Sequence, residues 1–197
     1  MTDLLSLWQP ILVSTVIVFL ASWIIHMMPL WHKNDFPAMP QEDAVMNAMR
    51  PFNIPPGDYM VPRCKSNADM NSPEFMEKMK RGPVVFMTVM PNGPIQMGKT
   101  LIMWFIYCAV VGLFAGYVAS RAHGPGADYL KVFQLVGATA FAGYALATWQ
   151  EMIWFKRGLN HTIKRTFDGL IYGCLTAGAF GWLWPKVAQL EPTTILP

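Results

Sequence analysis

Apolar residues gather in four long runs along this chain, at 7–30, 101–120, 130–155 and 167–184, with polar residues between them. A helix needs about 20 residues to cross a hydrocarbon core of roughly 30 Å, and each run is close to that length. The pattern predicts a membrane all-α protein with four transmembrane helices. The one long polar interval, 32–98, separates the first run from the second and has its own punctuation. "QEDAVMNAMR" reads as a short helix between Pro40 and Pro51, and "PPGDY" as a turn into an extended piece at 59–61. "NSPEFMEKMKRGP" carries a full set of helix signals, with Ser72 as N-cap, Pro73 and Glu74 in the first turn, basic residues last and Gly82-Pro83 as the stop. "VVFMTVM" then reads as a strand, apolar on both faces.

The expected organisation is a first transmembrane helix over 1–31, a small α/β extramembrane cap over 32–98, three further helices over 99–186, and a tail over 187–197. A cap of two short strands and two short helices buries little apolar surface. It is therefore expected to pack on the membrane bundle or on neighbouring copies, and the tail is expected to be held by a neighbour. Expressed alone, the cap should not unfold cooperatively.

Charge then orients the chain. Only 14% of the residues are charged, against about 25% in an ordinary soluble domain. Twelve of the 15 Lys and Arg fall in 31–99 and 156–166, and three (Arg121, Lys131, Lys186) on the opposite side. The positive-inside rule places 32–98 in the cytoplasm and both termini in the periplasm. The first run has no basic residues ahead of it, is too long for a signal peptide and is expected to remain as an anchor. Cys64, Cys108 and Cys174 are too scattered for a disulfide framework, and the net charge of +3 follows from the topology. No nucleic-acid partner is expected.

One stretch matches a phosphate-binding motif: Gly93 to Thr100 reads G-x-x-x-x-G-K-T. The helix that follows is an apolar run, no large parallel sheet precedes it, and Pro94 removes an amide from the cradle. The sequence favours a turn at Asn92-Gly93 with Lys99 snorkelling to the interface, and no nucleotide is expected.

Small residues recur every four positions within the apolar runs. Cys108, Gly112, Gly116 and Ser120 form one row, and Gly169, Gly173, Ala177 and Gly181 another. Thr139, Gly143 and Ala147 form a third that ends at Glu151. Such rows let helices approach closely in lipid, within a bundle or between protomers. Gln134, Glu151 and Asp168 are the polar residues that could line an ion path. Glu151 also reads as an interfacial anchor, and Asp168 has Lys164 four residues earlier as a ready partner. "HMMPLWH" brings His26, Met27, Met28 and His32 into one stretch, a donor set for soft metals. Without a repeated Met array, packing is the favoured role for these residues, and no metal or other cofactor is expected. The tryptophans flank the runs as an interfacial belt.

The stretches "PPGDYMVPRC", "SPEFMEKMKRGPVVFMTVMPNG" and "FDGLIYGCLTAGAFGWLWP" resemble a family of small bacterial inner-membrane proteins without assigned function. The resemblance implies an inner-membrane setting and brings no catalytic residues. The reading of the whole is a non-enzymatic structural subunit of an oligomeric inner-membrane complex, with copies of itself and other subunits as partners. The alternatives are a small channel or transporter, and an accessory subunit of a redox or copper-handling complex.

Overall fold

The computed structural model describes residues 1–28 and 31–187; most of the tail, 188–197, lies outside the described residues. The chain divides into two units, Met1–Asp35 with Gln96–Pro197, and Phe36–Ile95.

The first unit is a helical bundle. A 3-10 turn over Leu4–Leu7, capped by the Asp3 side chain, leads into α1 (Trp8–Met27). After the second unit come α4 (Met97–Ala122) and α5 (Tyr129–Phe141), then a π-helical turn (Ala142–Leu146), α6 (Ala147–Phe155) and α7 (Leu159–Leu183). Three helical stretches, Leu4–Met27, Met97–Ala122 and Tyr129–Phe155, are long and apolar enough to cross a membrane. The chain is thus a multi-pass membrane protein. Helix α7 is of similar length but is not among them; its first ten residues carry His161, Lys164, Arg165 and Asp168, and its remainder is rich in glycine.

The connections sort to two ends. Thr2 donates its amide to the Ser120 carbonyl and its hydroxyl to that of His123, while Trp184 Nε1–H donates to the Gly124 carbonyl. The N-terminus, the α4–α5 loop and the end of α7 therefore share one end. At the other, residues 31–35 bond to the start of α7.

Small residues set the spacing inside this bundle. A Cβ on Gly173 would lie 3.2 Å from the Gly137 carbonyl oxygen and from the Phe141 nitrogen, and one on Gly169 only 2.6 Å from Ala145 Cβ. Across the bundle, a Cβ on Gly116 would meet the Phe180 ring at 2.9 Å and one on Gly112 the Ser14 hydroxyl at 3.3 Å. Cys108, Ser120 and Ala177 are buried as well, and Gly181 lies against the Tyr129 ring. Two of the three sequence rows thus meet neighbours within the same protomer. The third runs into the π turn, which takes up an extra residue and shifts the helix phase. Gly143 still lies against Val111, but Ala147 beyond the turn is exposed.

The second unit has the element order read from its punctuation: α2 (Glu42–Met49), β1 (Gly57–Val61), α3 (Pro73–Arg81) and β2 (Val85–Val89). The Ser72 hydroxyl caps α3 by accepting from the Phe75 amide. The strands pair antiparallel, Gly57 opposite Val89 and Val61 opposite Val85. None of its residues is buried, so the unit has no core of its own.

Candidate functional site

The polar cluster at the α1–α7 end is assembled from three short pieces. His26 sits in the last turn of α1. The segment after α1 supplies Trp31, His32 and Asp35, tightened by a backbone bond from the Asp35 amide to the His32 carbonyl. On α7, His161, Lys164 and Asp168 stand at i, i+3 and i+7, a spacing that puts all three on one helix face.

Asp35 is the hub. One carboxylate oxygen lies 2.6 Å from Lys164 Nζ; the other lies 2.6 Å from His32 Nδ1 and 3.0 Å from His161 Nδ1. Burial alone raises its pKa, but the bonds from Lys164, His32 and His161 outweigh that and hold the carboxyl well below its usual range. Lys164 also donates to the Trp31 carbonyl. The pairing of Lys164 with Asp168 expected from their spacing is therefore replaced by an ion pair to Asp35, 129 residues away. A lysine preceding its acid by four is the weaker helical order, and Asp35 presents two oxygens to a converging set of donors.

Asp168 is left with different company. Its side chain is only 4% exposed. One oxygen accepts from Trp31 Nε1–H at 3.0 Å, and the other lies 2.9 Å from His32 Nε2. That nitrogen is buried and off the line a hydrogen bond needs. Among the described residues no lysine or arginine lies within ion-pair distance of Asp168. The His26 and His32 rings stack, centroids 4.5 Å apart and 7° from parallel. His26 Nδ1 lies 2.9 Å from the Ser22 carbonyl, and the Ser22 hydroxyl accepts from Trp104 Nε1–H at 2.7 Å. His26, His32 and Asp168 can each offer a ligand atom, all within 4.8 Å of one another.

The other sequence candidates lie elsewhere. Met27 and Met28 are exposed, so the structure brings together only the two histidines of "HMMPLWH". Gln134 and Glu151 are exposed, and 17 residues of helix, about 25 Å at the usual rise, separate them. Asp168 is buried next to Gly169, which packs at the level of Ala145. Trp31 and Trp184, read as belt residues, turn their N–H groups inward to Asp168 and Gly124. Asp35 and His161 were missed. The signals were the three-residue step from His32 to Asp35 in a turn, and the His161, Lys164, Asp168 stripe on one helix face.

Comparison with family models, with curated proteins and with solved structures finds no match. The residues themselves carry the functional reading.

Proposed function

We propose that the chain is a four-span integral protein of a bacterial inner membrane, with α7 as the fourth span, and that it serves as a non-enzymatic assembly subunit. The bundle holds the extramembrane unit for copies of itself or for other subunits. The observation that carries this reading is the lock at Asp35. Asp35 is the last residue of the bundle before the chain leaves for Phe36–Ile95. Its bonds to Lys164 and His161 pin that exit to α7. A second unit with no buried residue gains stability by resting on something else, which supports a partner surface on it. Packing of α7 through Gly169, Gly173 and Phe180 supports its place in the bundle despite its polar start.

The expected surface for assembly differs from the glycine rows. Gly112 and Gly116 face Ser14 and Phe180 of their own protomer, so leucine there disturbs the fold before it disturbs an assembly. The direct test is native mass spectrometry of the full chain extracted from its own membranes in a mild detergent. A dimer or larger particle, or a stoichiometric co-purifying chain, is expected. A bare monomer in several detergents and in nanodiscs would exclude the assembly role.

A further inference from the structure

We propose that His26, His32 and Asp168 form a binding site for a divalent first-row transition-metal ion at the α1–α7 end of the bundle. The inference stands apart from the assembly role and rests on how the atoms around the three side chains are engaged.

Each side chain is held by a second group, and the two imidazoles, stacked 7° from parallel, turn apart for both to point at one ion. The Ser22 carbonyl can only accept, so the 2.9 Å contact requires the proton of His26 on Nδ1 and leaves Nε2 with a lone pair in the neutral ring. At His32 the Asp35 carboxylate, 2.6 Å from Nδ1, does the same. Trp31 Nε1–H holds one oxygen of Asp168 and leaves the other to point at His32. A histidine whose far nitrogen bonds a carboxylate or a backbone carbonyl is the usual outer arrangement of a metal-bound imidazole.

The charges and distances agree. With Nδ1–H donated in a hydrogen bond to Asp35, the Nε2 lone pair of His32 would face an Asp168 oxygen 2.9 Å away. Two such atoms repel unless a cation lies between them. The contact misses hydrogen-bond alignment, so a proton on the line is not what the geometry offers. Two ligands at right angles, each about 2.1 Å from a metal, stand about 3.0 Å apart, whereas a tetrahedral edge is about 3.4 Å. The 2.9 Å separation fits the first. A donor set of two imidazoles and one carboxylate suits Fe(II), Mn(II), Co(II) or Zn(II). Cu(I) is disfavoured, because Met27 and Met28 point outward. His26 is exposed, which gives an ion a way in.

The test uses the full chain in nanodiscs, stripped with a chelator and then offered Co(II) or Zn(II) alone, with bound metal counted after dialysis. One ion per chain is expected. His26→Gln, an exposed change that leaves the Asp35 lock intact, should weaken binding at least tenfold without altering thermal unfolding. His32→Gln and Asp168→Asn should abolish stoichiometric binding. Trp31→Phe, which removes the orienting bond to Asp168 and keeps an aromatic ring beside His32, should weaken it by roughly 10- to 100-fold. Glu151→Gln should bind as the parent does. Bound Co(II) should show ligand-field bands of nitrogen and oxygen donors. No ion above the lipid-only blank would overturn the proposal. So would binding unchanged in His26→Gln, or a thiolate charge-transfer band.

Discussion

A single carboxylate carries much of the organisation at the polar end. Asp35 accepts from Lys164, His32 and His161 with its side chain only 6% exposed, so its removal leaves the Lys164 ammonium group without its counter-charge, held by the Trp31 carbonyl in a poorly hydrated place. Breaking one partner of a buried pair costs about 3–5 kcal/mol. Lys164 keeps 17% of its side-chain exposure, and this favours the low end of that range. Asp35→Ala should lower the thermal midpoint in detergent by about 6–12 °C, taking roughly 2–4 °C per kcal/mol for a chain of this size. Asp35→Asn keeps an acceptor for Lys164 and should lose less. Equal midpoints for all three proteins would mean that the lock contributes nothing. The same residue marks the limit of reading from sequence. Lys164 and Asp168 are four apart on one helix, so a local rule pairs them; the choice of Asp35 depends on a contact across 129 residues.

At the scale of elements, the readable features were those whose cause is local. The apolar runs announce α1, α4 and the α5–α6 stretch because a helix in lipid needs length and little else. The Ser72 cap and the Gly82-Pro83 stop place α3 to the residue, since each acts on the nearest turn. The π turn over Ala142–Leu146 has no comparable signal, and it carried the third small-residue row out of phase. The glycine rows were visible, but which surface they face was not, because a stripe of small residues serves a bundle and an oligomer equally. A paired substitution tests the answer. At Gly169 a Cβ would lie 2.6 Å from Ala145 Cβ and 3.3 Å from its backbone, so Gly169→Ala should destabilise the bundle by about 1–3 kcal/mol through overpacking. At Gly98, in the first turn of α4, nothing lies within 4 Å. There alanine should be neutral or stabilise by up to about 1 kcal/mol. Thermal unfolding of the two variants side by side reads the difference, and equal effects would mean that α7 does not pack closely on the π turn.

For the molecule as a whole, the question is how many times the chain crosses. Hydrogen bonds put Thr2, the α4–α5 loop and Trp184 at one end and residues 31–35 with the start of α7 at the other. If α7 crosses, the two ends lie in different compartments and the termini share one. If α7 instead lies along the surface, its polar first turns and its last residues face the same water. The charge distribution favours crossing: Lys156, Arg157, Lys164 and Arg165 cluster at its start, and Lys186 is the lone basic residue after it. Single cysteines at Arg157, at Pro125 and at Lys186, in a chain with Cys64, Cys108 and Cys174 replaced by serine, decide this with a membrane-impermeant maleimide on intact cells. The expected result is labelling from outside at 125 and 186, and labelling at 157 only after the cells are opened. Cysteines at 157 and 186 that react together from either side would make α7 a surface helix and remove the fourth span.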